Sequence, residues 1–311
     1  MNWKAKAFLG RALSALPGRS TLYYLAQRHL MRSLPMPEPD FRIRVEAACW
    51  HLGNYERHGP RPLGDATFLE FGTGWDLVIP LVLASAGVGH QLLLDRDPLA
   101  RVELVHSSLA RLHAVVAAEA RPTVCARPDL ARLPASGPRR GGLAPWLADL
   151  RIEYRAPADA RATGLPDAAC DAVTSTATLE HIPKPAIAQI MSEMFRVLRP
   201  GGLLSCEIDL SDHFSHSDPS ISPWHFLRYS ERGWHWLNSD LLYQNRLRAS
   251  VHISLVQAAG FEIVQLEPGF PSDADVEKMA LPPVHAADVH YTDRRDLLAT
   301  SIRLVGRKPS G

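Results

Sequence analysis

The chain has 311 residues, with 34 Lys and Arg against 33 Asp and Glu. That length suffices for a full core and one large domain with additions, while the balanced charge removes any global electrostatic case for nucleic acid. No apolar run is long enough to span a bilayer, and Cys49, Cys125, Cys170 and Cys206 fall in no C-x-x-C or zinc spacing, so the expectation is a cytoplasmic protein with reduced thiols.

From Met1 to Pro37 there are six basic residues (Lys4, Lys6, Arg11, Arg19, Arg28 and Arg32) and no acidic one. Trp3, Ala7, Phe8, Leu13 and Leu16 fit one helical face, and TLYYLAQRHLMRSL reads as a second short helix after the Pro17-Gly18 break. Residues 1–60 are expected to form a helical extension packed on the main domain. The sharper alternative is a basic amphipathic helix that touches an anionic membrane surface through residues 1–37. Phe41 to His58 then reads as a helix carrying Trp50, His51 and Tyr55 towards the next segment, where they either cover a ligand or pack.

The segment TFLEFGTGWD, Thr67 to Asp76, organises the rest. Thr67, Phe68 and Leu69 are β-formers in a run too short for a helix, giving a buried strand that ends at Glu70 and Phe71. Gly72 and Gly74 form a tight turn, and Asp76 opens the apolar helix LVIPLVLASAG. A dinucleotide loop asks for G-x-G-x-x-G, but Leu77 stands at the third glycine position. The carboxylate of Glu70 would repel phosphates and attract an ammonium or sulfonium group. HQLLLD is a second strand ending in Asp95, placed to accept hydrogen bonds from ribose hydroxyls, with Arg96 beside it. Asp97-Pro98 caps a helix with Val102, Val105, Leu109, Leu112 and Val116 on one face. Residues 121–150, rich in Pro, Arg, Ala and Gly, lack periodicity and read as a surface insertion.

Ile152 to Arg155 and Asp171 to Ser175 read as the next strands, and Ile187, Ile190, Met191, Met194 and Leu198 form a helical stripe before the Pro200-Gly201-Gly202 stop and the strand LLSCEID. The glycine loop, Asp95, Asp159-Ala160, the LPD before a strand, the LEHI after it and RVLRPGG come in an order that resembles the class I S-adenosylmethionine-dependent methyltransferases from about Thr67 to Asp209. The resemblance implies an α/β fold: a Rossmann-like, doubly wound, seven-stranded sheet in the order 3-2-1-4-5-7-6 with the last strand antiparallel. It implies a methyltransferase domain over residues 61–311 and S-adenosyl-L-methionine as cofactor. The cofactor-binding residues it implies are Glu70, Gly72, Thr73, Gly74, Asp95, Arg96, Asp159, Ala160, Ser175 and Thr176. Adenine would meet Asp159-Ala160, and the methionine end would lie against Gly72, Gly74 and the carbonyls of Ser175 and Thr176. His181 in LEHI reads as a wall of the acceptor pocket or as a base.

Beyond the fifth strand, residues 210–245 are expected to form the acceptor-binding insertion. The run from Asp209 to Arg248 holds four histidines and three tryptophans, which suits a polar acceptor with hydroxyls, since rings can lie on sugar faces while His and Asp take protons. His213 is the favoured base and His216 the second choice, with Asp212 orienting the ring. Asp212, His213, His216 and Asp218 could also ligate a metal, but neither spacing nor count demands one, and no metal is assigned. This segment, with E-x-G-T-G-W and N-R-L-R, resembles a bacterial subgroup associated with surface polysaccharide and other glycan biosynthesis. The resulting expectation is O-methylation of a small-molecule, sugar or glycan-type acceptor; the alternative is a non-catalytic cofactor-binding or scaffold protein. FEIVQLE and LLATSIRLVGRK would complete the sheet, with the segment between them as a partial lid.

Overall fold

The computed structural model describes residues 2–31, 33–117, 129, 132–138, 142–270, 277, 280–285 and 289–310. Among these residues the strands are β1 (Thr67–Phe71), β2 (His90–Leu94), β3 (Ile152–Arg155), β4 (Cys170–Thr176), β5 (Leu198–Asp209), β6 (Glu262–Gly269) and β7 (Ser301–Arg307). They form one sheet in the order 3-2-1-4-5-7-6, parallel from β3 to β5, with β7 antiparallel to both β5 and β6. This is the expected topology. All seven residues of β4 are buried, because a central parallel strand is covered by helices on both faces.

One face carries α3 (Glu38–His58), α4 (Val78–Ala86) and α5 (Val102–Ala117). In α3, Phe41, Val45, Ala48, Leu52 and Tyr55 recur at helical spacing and are buried against the sheet. The other face carries α7 (Lys184–Val197) and α9 (Ala249–Ala258). The buried stripe of α7 is Ile187, Ile190, Met191, Met194 and Val197. Truncating a fully buried member such as Met194 to Ala is expected to cost about 2–5 kcal/mol.

The N-terminal extension begins with α1 (Trp3–Ser14) and α2 (Arg19–Leu25), the latter continuing into a π-helical turn at Ala26–Leu30. α1 buries Trp3, Ala7 and Gly10, a narrower face than expected, while Phe8 and Leu16 turn to solvent, 70% and 47% exposed. The buried face packs into a satellite core with Phe214, Trp224, Phe226 and Trp234 of the segment after β5.

Parts of the expected surface insertion, residues 121–128, 130–131 and 139–141, lie outside the described residues, as do 271–276, 278–279 and 286–288 of the expected lid. The insertion is not all surface. It contains α6 (Leu143–Asp149), whose Leu147 is fully buried in the main core. Seven residues are too few for a helical period to stand out from a Pro- and Gly-rich background. Cys170 and Cys206 are free and buried, but Cys49 is disulfide-bonded, against the expectation of four reduced thiols. Among the described residues no helix is long and apolar enough to cross a membrane.

Candidate functional site

The C-terminal ends of β1, β2, β4 and β5 open onto one edge of the sheet, the place where doubly wound folds bind ligands. After β1 the chain turns through Gly72 and Gly74 with φ of 77° and 75°, a left-handed backbone that L side chains rarely adopt. A Cβ on Gly72 would fall 2.3 Å from the Thr178 methyl, whereas one on Gly74 would meet nothing within 4 Å. Gly72 therefore serves a close packing contact, and Gly74 leaves an open face. Leu77 is also left-handed, at φ 53°, so α4 starts at Val78 and not directly at Asp76.

Two carboxylates frame this loop. Glu70 is 4% exposed, its Oε2 has no hydrogen-bond partner, and burial pushes its pKa up to about 8. Asp95 receives the Thr73 hydroxyl at 2.7 Å and the Gly74 N–H at 3.1 Å, both on Oδ2. Burial raises its pKa to about 6 against these two donors. Asp95 thus fixes the loop as well as facing the cleft. At its C-terminal side, Asp95 accepts the Ala158 N–H at 2.8 Å, which joins the turn after β3 to the end of β2. Ala160 packs on the core beside Ala158, while the Asp159 carboxylate is held by Arg161 at 2.7 Å. Arg96 stands 84% exposed and pairs with Asp97.

Ser175 and Thr176 come to this edge, but their side chains point elsewhere. Ser175 Oγ reaches the Phe71 carbonyl at 3.4 Å, and Thr176 Oγ1 lies 2.9 Å from His51 Nε2. The Thr176 carbonyl, expected to receive an ammonium, instead accepts from Arg44 Nη1 at 3.3 Å and from Thr178. Arg44 was not legible in the sequence. It projects from the first turns of α3 and exerts its charge on Glu70, Asp76 and Glu180. Trp50, His51 and Tyr55 pack and do not cover the loop: His51 is fully buried between Ser205 and Thr176, and Tyr55 lies against Phe68. Tyr24 of the extension also reaches the loop, stacked on Trp75 at 5.4 Å.

A second cluster at this edge gathers residues from three segments. A 3-10 helix at Leu179–His181 follows β4, Asp209 ends β5, and His213 and His216 come from the next loop. His213 Nε2 lies 3.2 Å from Asp209 Oδ2, close but off the line of an aligned hydrogen bond. His216 Nε2 lies 3.5 Å from the same oxygen and 2.9 Å from Ser211 Oγ. The His213 and His181 rings meet edge to face at 4.9 Å. The His213 pKa is raised, burial being outweighed by Asp209 and Glu180, and the Asp209 pKa is lowered to about 2. Glu180 is 1% exposed, neither of its carboxylate oxygens has a hydrogen-bond partner, and burial raises its pKa to about 8.

Asp212 does not orient His213. Its Oδ2 faces His225 Nδ1 at 3.3 Å and its Oδ1 accepts the Phe214 N–H, so it is a buried brace of the insertion. The orienting carboxylate is Asp209, three residues earlier, because the loop turns sharply after the strand. Asp218 likewise caps α1, accepting the Trp3 N–H at 2.9 Å. The N-R-L-R run is structural. Asn245 clamps the 3-10 helix, donating to the Leu179 and Ile182 carbonyls at 2.8 and 2.9 Å. Arg246 ties the Phe226 and Tyr229 carbonyls, and the fully buried Arg248 ties those of Leu210 and Ala299. Trp224 and Trp234 belong to the satellite core, and among the insertion's tryptophans Trp236 is exposed, at 59%.

A family model described as a methyltransferase domain matches residues 140–206, which span α6 through most of β5. No curated protein matches the chain. Among solved structures, the chain is similar to an S-adenosylmethionine-dependent methyltransferase from Methanosarcina mazei, at 15% identity and a TM-score of 0.42, covering 84% of this chain and 97% of that one. It is also similar to geranyl diphosphate C-methyltransferase from Streptomyces coelicolor, at 12% identity and a TM-score of 0.47, covering 86% and 80%. The matched stretch is a methyltransferase domain, and the strand order 3-2-1-4-5-7-6 is that of the Rossmann-like methyltransferase fold.

Proposed function

We propose that the protein methylates a hydroxyl on a small-molecule, sugar or glycan-type acceptor bound between the 3-10 helix and the loop after β5. S-adenosylmethionine supplies a methyl group already activated on a sulfonium sulfur. The residues present fit it: a buried carboxylate with an unpartnered oxygen at Glu70, an open backbone at Gly74, and Asp95 at the end of β2. On this reading Glu70 attracts the ammonium group, Arg44 the methionine carboxylate, Asp95 the ribose hydroxyls, and the turn at Ala158 to Ala160 the adenine. Gly72, Thr73, Ser175 and Thr176 shape the pocket by fixing its backbone. Arg96 is peripheral.

The observation that carries the reading is Thr178. Its Oγ1 donates to the Gly72 carbonyl at 3.2 Å, and Glu180 and His181 follow two and three residues later, so the donor loop and the acceptor cluster share a wall. Proximity of acceptor oxygen and methyl carbon provides most of the rate, and the proton leaves to the imidazoles of His213 and His216, which share Asp209. The histidines and carboxylates support a hydroxylated acceptor; burial of Trp224 and Trp234 leaves stacking on a sugar face to Trp236. The outward side of α1, with Phe8, Lys4 and Arg11 exposed, supports a peripheral contact with an anionic membrane. Incubation with methyl-labelled donor and a panel of hydroxylated acceptors tests the function: label in a methyl ether supports it, and label only on nitrogen or carbon contradicts the O-methyl assignment.

A further inference from the structure

One ligand-capable atom from each of Glu180, His181 and His213 lies within 4.8 Å of the others, at the end of the sheet where the acceptor enters. We infer that these three side chains bind a first-row divalent transition-metal ion, with Asp209 bringing a second carboxylate to the same place. The inference deepens the O-methyltransferase reading, since the cation would orient and acidify the acceptor hydroxyl.

Three observations converge on it. Glu180 is almost fully buried, yet neither carboxylate oxygen meets a donor. Protonation would remove its charge but leave both oxygens without a partner, and a buried carboxylate so placed calls for a ligand from outside the protein. Next, His181 Nδ1 lies 2.7 Å from the Tyr243 carbonyl. An N–H donated there fixes the tautomer and leaves Nε2 as a lone pair, the arrangement found in metal-bound imidazoles. Finally, the backbone that presents the pair is rigid: Asn245 accounts for the carbonyls on either side of it and donates its own N–H to the Glu180 carbonyl at 2.7 Å.

The charges agree. Glu180 and Asp209 bring two carboxylates that a bound cation would hold ionised, opposed at short range by Arg44 and Lys6. Two imidazoles with one or two carboxylates suit Mn2+, Fe2+, Co2+ or Zn2+ better than Mg2+ or Ca2+, which prefer all-oxygen sites. With the cation held by His213, the acceptor proton passes to His216 Nε2. The oxygen then forms its bond to the methyl carbon, and the electrons of the broken carbon–sulfur bond stay on sulfur.

The test is titration of the chelator-treated full chain with Co2+, followed by calorimetry and by the visible absorption of the bound ion, with neither donor nor acceptor present. The expected result is one ion per chain, with affinity lowered roughly 100-fold or more in Glu180→Gln and His181→Ala, since even outer-shell changes cost 10–100-fold. It should be unchanged in His235→Ala, an exposed histidine away from the cluster. His181 is itself exposed, so its variant tests the site without a burden on folding. No ion bound by folded wild-type protein, or equal binding by both cluster variants, overturns the proposal. S-adenosylmethionine binding measured on the same samples keeps its failure distinct from failure of the methyltransferase reading.

Discussion

The glycine loop and the histidine cluster lie on the same edge of one sheet, joined through Thr178, but they are built differently. The loop is a local device: a strand, two left-handed glycines and the start of α4 within a dozen residues, braced by one carboxylate from the adjacent strand. The cluster is assembled from the turn after β4, the end of β5 and a loop beyond it, and is bolted from behind by Gln244, Asn245 and α1. A local device is fixed by backbone geometry, so its residues can be read in sequence. An assembled one depends on which long-range contacts win.

The largest expected effect separates the two. His213→Ala should lower turnover roughly 100- to 10,000-fold while leaving S-adenosylmethionine affinity unchanged, as steady-state kinetics beside calorimetry would show. Equal loss of donor affinity would mean that the regions are not independent. On the donor side, Glu70→Gln should weaken donor binding at least tenfold, on the order of 1.4 kcal/mol. It should also change the pH dependence of stability. Because the folded-state pKa of Glu70 is raised from 4.5 to about 8, the ligand-free fold holds a proton that the unfolded chain releases. The stability from this proton is fully present below about 4.5 and is lost as pH rises towards 8. Melting curves of wild type and Glu70→Gln should therefore diverge between these pH values, the variant gaining as pH rises; parallel curves would place Glu70 in a wetter setting than its burial indicates.

Smaller effects concern the extension. Lys6 donates to the His213 carbonyl at 3.2 Å and to Ser217 Oγ at 3.3 Å, tying α1 to the loop that carries the imidazoles. Lys6→Met should raise the KM for acceptor severalfold with little change in donor affinity, and an unchanged KM would make α1 a bystander. Vesicle sedimentation should show salt-sensitive binding to anionic lipid that is lost in Phe8→Ser; binding equal in that variant would exclude the outward face of α1 as the contact. Arg96→Ala, at an exposed ion pair with Asp97, should change donor affinity least of all.

The fold was legible because its signals are periodic and local: the stripe of α7, the short buried strands, and the order of turns between them. Even there, α6 with its seven residues is too short to show a helical period, and Phe8, which fits the apolar stripe of α1, turns to solvent. In the loop after β5, His213 and His216 stand out in the sequence because histidines are conspicuous after a strand. Asp209, Glu180 and Arg44 do not, for physical reasons. A carboxylate at a strand end looks the same whether it braces a turn, as Asp212 does, or faces a ring. Arg44 acts across 132 residues of sequence, a separation on which no spacing rule bears.

The most direct test of the central claim is calorimetric titration of S-adenosylmethionine into wild type, Asp95→Ala and His213→Ala. The expected pattern is binding by wild type, near loss in Asp95→Ala, where both the ribose contact and the brace on Thr73 and Gly74 are removed, and wild-type affinity in His213→Ala. A folded wild-type protein that does not bind, or an Asp95→Ala variant that binds as well as wild type, would contradict it.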